Sequence, residues 1–173
     1  MSLDGVVDAA SMQQWFNPYH SDERAKYIQD TIHGCDTMLY GRVTYEMLYP
    51  YWSALKNNEM GVAEKLNTVE KYVVSTSLKD AAWQNTTIIS KDVIPAIQSL
   101  KEQPGGNILV QGSVTLTNAL LKAGLVDELK LLVHPYIAGN GKKLFDGEVT
   151  SALQLVNSRQ LEQGVTLLQY KPV

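Results

Sequence analysis

Twice in this chain an apolar strand runs into a glycine and straight on into a helix. The first occurrence is Leu39-Tyr40-Gly41-Arg42-Val43-Thr44, the second Val110-Gln111-Gly112-Ser113-Val114. That order constrains the fold strongly, because a strand can reach a parallel neighbour only through a crossover, usually a helix. The second copy is the cleaner. Asn107 to Gln111 reads as a buried strand and Gly112-Ser113 as a tight turn. Val114 to Ala123 reads as a helix, with Leu116, Ala119, Leu120 and Ala123 at i, i+3, i+4 and i+7. Gly124 stands where a C-cap glycine belongs.

The rest of the chain alternates in the same way. Ala25, Ile28 and Ile32 predict a helix from Ser21 to His33, with Ser21 as N-cap and Gly34 as stop. Thr37 to Tyr40 is a short strand ending on Gly41. Residues 43 to about 55 predict an aromatic-rich helix in which Pro50 is placed to break or kink the backbone. Residues 56–70 are polar and without a clear period. Lys71 to Thr76 and Thr86 to Ser90 are β-branched strands, and Asp92 is positioned to cap a helix from Val93 to Gln103. Leu129, Leu131 and Val133 alternate as a strand, and Leu153 to Arg159 with Val165 to Tyr170 predict a hairpin turned near Gln163-Gly164. The expectation is an α/β fold with a mixed, mostly parallel central sheet, flanking helices and a C-terminal antiparallel hairpin.

Length and charge narrow the function. With 173 residues the chain is expected to be a single domain spanning 1–173, able to bury roughly 70% of its unfolded surface without a disulfide or metal staple. Eighteen acidic against fifteen basic residues leave a net charge of −3, the wrong sign for an electrostatic nucleic-acid footprint. No apolar run is long enough for a membrane helix, and Met1-Ser2-Leu3-Asp4-Gly5 has neither the basic nor the apolar region of a signal peptide. Cys35 is the only cysteine, so a cytoplasmic location is expected and no intrachain disulfide exists. His20, His33 and His134 lack ligand spacing to one another or to Cys35, and no metal site is expected. Cys35 reads as a small buried residue at a strand entrance.

The two strand–glycine–helix turns are the best candidates for chemistry. Glycine lets a backbone approach a ligand, and a helix N-terminus offers unpaired N–H groups with partial positive charge. Two such ends on one side of a parallel sheet would grip a pyrophosphate, with Arg42 and Thr44 adding a cation and a hydroxyl. Either glycine alone could equally serve only to turn the chain. Ser75-Thr76-Ser77, after the strand Tyr72-Val73-Val74, places hydroxyls where a phosphate monoester would sit, or where a loop needs a cap. There is no G-x-G-x-x-G after a strand and no G-x-S-x-G elbow. Gly139-Asn140-Gly141-Lys142-Lys143 has the wrong spacing for a phosphate loop. Trp15 and Trp52 read as core or as pocket wall.

The ordered set of short motifs resembles a known family. Ser2-Leu3-Asp4-Gly5, the run from Gly34 through Gly41-Arg42-Val43-Thr44-Tyr45-Glu46, Val74-Ser75-Thr76, Gln111-Gly112-Ser113, Leu121 through Leu129, and Pro135 through Leu144-Phe145 are similar to the dihydrofolate-reductase-like family. Within it they most resemble the reductase domain of the riboflavin-biosynthesis bifunctional deaminase-reductase and its stand-alone bacterial relatives. The resemblance spans nearly the whole chain. It implies a three-layer dihydrofolate-reductase-like fold with NADPH across the strand C-termini. By that resemblance Gly41, Arg42 and Thr44 meet the cofactor phosphates, Ser75 and Thr76 approach the ribose 2′-phosphate, and Gly112, Ser113 and Val114 cradle the pyrophosphate. Asp4, in the loop over the nicotinamide, becomes the candidate for substrate orientation or proton supply, or a turn residue before Gly5.

The implied activity is NADPH-dependent hydride transfer to a small planar heterocycle, with a ribosylaminopyrimidine phosphate as the substrate in riboflavin synthesis. The alternatives are a non-catalytic nucleotide-binding module on the same fold and a dihydrofolate reductase proper. The strands near 128–134 and 153–170 and an available sheet edge suggest a homodimer. In the family a core strand runs directly into Ser-Leu-Asp-Gly, whereas here Met1 precedes Ser2. The expectation is that Met1 corresponds to an internal position of a longer product, or that another segment or chain supplies the strand.

Overall fold

The computed structural model describes residues 1–145, 147 and 149–173. The chain forms two compact units, one of Ile28–Thr117 and one of Met1–Tyr27 with Asn118–Val173.

The first unit holds the parallel sheet. Its strands are β1 (Cys35–Gly41), β2 (Glu70–Val74), β3 (Thr86–Ile89) and β4 (Asn107–Val110), in the order β3-β2-β1-β4 with every pair parallel. β1 is central, and its Met38-Leu39-Tyr40 stretch is apolar on consecutive residues, as a strand covered on both faces must be. Met38, Leu39 and Tyr40 are fully buried. Its core joins Met38, Tyr40, Tyr45, Leu66, Val73 and Trp83, with Tyr40 stacked on Trp83 at 6.0 Å. Cys35 lies at the strand entrance, buried, its thiol donating to the Ile32 carbonyl at 3.0 Å.

The helices carry the chain between strands. In α2 (Asp22–His33) the Ser21 hydroxyl accepts from the Arg24 N–H, the expected cap. α3 (Arg42–Trp52) starts one residue earlier than the pattern suggests and runs two residues past Pro50, with Ser53 donating to Tyr49 at 3.0 Å. The ambiguous stretch 56–70 contains the short helix α4 (Ala63–Thr68). α5 (Val93–Lys101) ends before Gln103, and Asp92 does not cap it with its side chain. Asp92 sits instead at φ +45°, and its carbonyl accepts from Ala96. α6 (Val114–Lys122) follows β4, and Gly124 takes φ +67°, the left-handed geometry that ends a helix.

The second unit holds β5 (Leu129–Val133), β6 (Leu153–Gln160) and β7 (Thr166–Pro172), antiparallel in the order β5-β7-β6. The hairpin turns through Gln163 and Gly164, both at positive φ. It is one part of a three-stranded sheet, because β7 also pairs with β5. Leu161, Val165 and Leu167 form a core with Tyr19, Tyr27 and Leu132. The short helix α1 (Met12–Trp15) brings Trp15, 4% exposed, beside His134. Ser2 bridges His134 in parallel, and the Met1 amine donates to the Leu132 carbonyl at 2.6 Å.

Candidate functional site at the carboxyl ends of β1, β2 and β4

The strand order fixes where a ligand fits. From β1 the chain moves to β2 and β3 on one side, then returns to β4 on the other, so the order reverses between β1 and β4. In open α/β sheets a crevice opens at such a point, outside the carboxyl ends of the strands. Both strand–glycine–helix turns flank it. The register pairs Leu39 with Val110, so Gly41 and Gly112 follow at adjacent strand ends.

The two turns touch. A Cβ at Gly41 would run into the Ser113 side chain, and one at Gly112 would lie 3.2 Å from Thr44 Cγ2 and 3.3 Å from its Oγ1. Gly112 and Ser113 are both left-handed, at φ +69° and +58°. Glycine adopts this freely, whereas serine does so at a cost that persists where the surroundings impose it. Thr117 N–H closes on the Ser113 carbonyl at 2.9 Å to start α6, and the Thr117 hydroxyl donates to the Gly112 carbonyl at 3.3 Å. α3 begins on Gly41, which has no side chain to cap the first-turn N–H groups. Two helix N-termini thus begin side by side, an arrangement that suits a polyanion.

Arg42 opens α3. Its guanidinium reaches Glu46 one turn on, at 2.6 Å, with both side chains more than two-fifths exposed. Glu46, within the family-like motif but unread for chemistry, thus holds Arg42 against its own helix; an arginine–glutamate pair at i, i+4 is the signal that finds it. At the end of β2, Val74 pairs with Gly41, which brings Ser75 to the same sheet edge. Ser75 is buried, and its hydroxyl oxygen accepts from the Ser77 and Leu78 N–H groups at 3.2 and 2.8 Å. It shapes the turn. Thr76 and Ser77 beside it are exposed. Gly41, Arg42, Thr44, Ser75, Thr76, Gly112, Ser113 and Val114 therefore all lie at the carboxyl edge of one sheet. The glycine cradle, the paired helix starts and the exposed hydroxyl of Thr76 fit a phosphate-bearing ligand.

Asp4 belongs to the other unit. One carboxylate oxygen accepts from the Ser2 hydroxyl at 2.7 Å and the Ala138 N–H at 2.9 Å, the other from the Gly139 N–H at 2.9 Å. The Ser2 hydroxyl, then the two backbone donors, hold its carboxyl down to about 2. An ionised carboxylate so engaged fixes the loop at 138–139. A general acid needs the opposite, a carboxyl held protonated near the working pH.

Sequence reasoning missed His134. It is fully buried, with Trp15, Phe16 and Tyr19 packed around its ring at 5.4–5.9 Å. Arg24, 3% exposed, donates from Nη1 to His134 Nε2 at 3.2 Å and to the Phe16 carbonyl at 2.6 Å, its guanidinium 4.1 Å from the Phe16 ring centroid. Nε2 being the acceptor, Nδ1 carries the hydrogen and donates to the Met1 carbonyl at 3.0 Å. Burial foremost, with the nearby Met1 amine and Arg24, pushes the imidazole down to about 4. No spacing rule finds this cluster, because its members are 110 residues apart.

Comparison with known proteins gives the family and the fold. The sequence profile described as the RibD C-terminal domain matches residues 1–167. The uncharacterized protein YyaP of Bacillus subtilis is 31% identical over 147 residues, which cover 82% of this chain and 76% of YyaP. Among solved structures, a putative riboflavin biosynthesis protein from Shewanella sp. PV-4 superposes with a TM-score of 0.74 at 19% identity, covering 100% of this chain and 95% of that one. A pyrimidine reductase-like protein from Corynebacterium diphtheriae superposes at 0.70 with 16% identity, covering 100% and 89%. The fold is dihydrofolate-reductase-like, and the chain belongs to the RibD C-terminal domain family.

Proposed function

We propose that this chain is an NADPH-dependent reductase that delivers hydride to a small planar heterocycle, with 5-amino-6-(5-phosphoribosylamino)uracil or a close relative as the acceptor. The observation that supports it is the meeting of two glycine turns and two helix N-termini where the strand order reverses between β1 and β4. In this reading the backbone at Gly41, Gly112, Ser113 and Val114 holds the pyrophosphate. Thr44 supports the cradle through Gly112, and Arg42 and Thr76 receive the 2′-phosphate. Ser75 holds the turn that presents Thr76. Asp4 positions the loop at 138–139 and so orients substrate. When bound, the coenzyme supplies the hydride, and the protein's part is to orient the reactants and exclude water. The membership in a reductase-domain family supports this reading, as does a net charge that leaves anion binding to local helix ends rather than to a basic surface.

The test is fluorescence titration with NADPH and NADH, followed by NADPH oxidation with ribosylaminopyrimidine phosphates and pterins as acceptors. NADPH binding with turnover on the pyrimidine is the expected result. Failure to bind either coenzyme overturns the proposal, and binding without turnover on any acceptor replaces it with a non-catalytic nucleotide-binding module. Arg42→Ala is expected to weaken NADPH about tenfold or more and NADH much less, since a charge-assisted hydrogen bond contributes roughly 1.5–3 kcal/mol. Equal losses remove Arg42 from the 2′-phosphate.

A further inference from the structure

Gly139-Asn140-Gly141-Lys142-Lys143 has the wrong spacing for a phosphate loop, yet the structure fastens it on both flanks. Upstream, the Asp4 carboxylate accepts from the Ala138 and Gly139 N–H groups at 2.9 Å each. Downstream, the Val7 N–H donates to the Lys142 carbonyl and the Leu144 N–H to the Gly5 carbonyl, both at 2.9 Å, and Lys143 bridges Val6. Asn140 and Gly141 stand between these fastenings, both exposed. Gly141 takes φ +126°, and a Cβ there would lie 2.7 Å from Val6 Cγ1. Val6 is fully buried and has no room to give way. The packing therefore demands glycine at 141. Of the asparagines in the chain, Asn140 alone precedes a glycine.

Glycine also leaves the amide nitrogen after Asn140 unshielded, since it brings no side chain to stand between that nitrogen and the carboxamide. We propose that Asn140 is a site of spontaneous deamidation, and that the product loosens the segment held by Asp4. The Gly141 nitrogen attacks Asn140 Cγ. Its proton passes to the carboxamide nitrogen, the Cγ–Nδ2 bond breaks and ammonia leaves, closing a five-membered succinimide. Water then adds to one of the two ring carbonyls and opens it. Attack at Cγ leaves aspartate at 140, and attack at the backbone carbonyl leaves isoaspartate, with the chain running through Cβ and Cγ. Water is the one co-reactant. Lys142 and Lys143, exposed and adjacent in sequence, favour the ionised amide that attacks. Either product sets a new carboxylate beside Gly139, whose N–H serves the Asp4 carboxylate. Isoaspartate also adds a backbone atom to a span pinned at both ends. The downstream pin rests on buried Val6, so the Asp4 contacts yield. All of these residues lie in one unit, and the inference does not depend on the coenzyme reading.

The test incubates the full chain at neutral and at mildly alkaline pH. It follows ammonia release, peptide mapping with electron-transfer fragmentation, and amide hydrogen exchange. The expected result is one ammonia per chain, with NH replaced by O on the peptide holding 140–141, appearing faster at the higher pH. Asn140→Gln has to close a larger ring and is expected to slow the change at least about tenfold. In aged wild type the Ala138 and Gly139 amides are expected to exchange at least about tenfold faster than in fresh protein, as loss of a charge-assisted hydrogen bond requires. Aged Asn140→Gln should keep the fresh rate. Asn140 staying intact in the folded chain, over a period in which the guanidinium-unfolded chain deamidates there, overturns the proposal. So does ammonia that comes from another asparagine, or modified protein whose Ala138 and Gly139 amides exchange as before.

Discussion

Gly41 and Ser113 are separated by most of the first unit in sequence and pressed together in space, so each constrains the other. An alanine at 41 would place its methyl 2.8 Å from Ser113 Cβ, which a rotation of the hydroxyl cannot relieve. Gly41→Ala is expected to cost roughly 1–3 kcal/mol in urea denaturation, the usual range for overpacking. Ser113→Gly removes the clashing side chain and suits a residue at φ +58°. The double variant should recover much of the loss, with a coupling energy of about 1 kcal/mol or more. Additive effects would mean that the two turns are not in contact. The sequence marks Gly41 as a candidate but is silent on Ser113's left-handed backbone, since serine there contradicts local preference and is set by the opposite turn. Asp92 is the converse. It has the residue type and spacing of a helix cap, yet its backbone turns left-handed and the side chain is not used.

At the scale of elements, α4 shows what local pattern misses. Six residues cannot hold a helix on propensity alone. Lys71, fully buried on β2, donates from Nζ to the carbonyls of Leu66, Asn67 and Val69 at 2.8, 3.3 and 2.6 Å, closing the end of α4. Its ammonium also lies 5.0 Å from the Trp83 ring centroid, and burial lowers its pKa to about 8. Asn67 completes the join, donating to the Trp52 carbonyl and accepting from Trp83 Nε1 at 2.7 Å. Lys71→Met keeps the bulk but strips three carbonyls of their donor, and is expected to destabilise by about 2–4 kcal/mol in chemical denaturation. An unchanged midpoint would show that the ammonium only tolerates its position. The parallel strands and the long helices were legible because their periods are imposed by a buried face. α1, α4 and the lysine clasp were not, because they are short and held by tertiary contacts.

For the molecule as a whole, His134 sets a limit on acid. The folded imidazole titrates near 4 and the unfolded one near its ordinary 6.5, so the unfolded chain takes up a proton first as pH falls. The contribution is fully present above about pH 6.5, declines below it and levels off near 4. Its full loss is on the order of 3 kcal/mol. Lowering the pH from 7 to 5 should therefore reduce the melting temperature, and His134→Gln, which cannot take up that proton, should flatten the dependence. An equally steep profile in the variant would assign the acid sensitivity elsewhere. That the candidate residues gather at one sheet edge was legible from the sequence, because strand–glycine–helix turns in a parallel sheet open at the strands' carboxyl ends. The His134–Arg24 cluster was not, because only the assembled second unit brings its residues together.

The reversal of strand order also orders events in time. β1 and β2 pair across a few tens of residues, Thr37 with Glu70, whereas β1 and β4 join Met38 to Leu109 across about twice that interval. Each doubling of the loop to be closed adds about 0.6 kcal/mol of entropy cost, and distant pairings slow a folding chain. The seam on which both glycine turns converge is therefore expected to zip up late. If the proposed coenzyme binds there, a nascent chain would be blind to it until the sheet is whole, and the onset of ligand protection during refolding would mark completion rather than collapse.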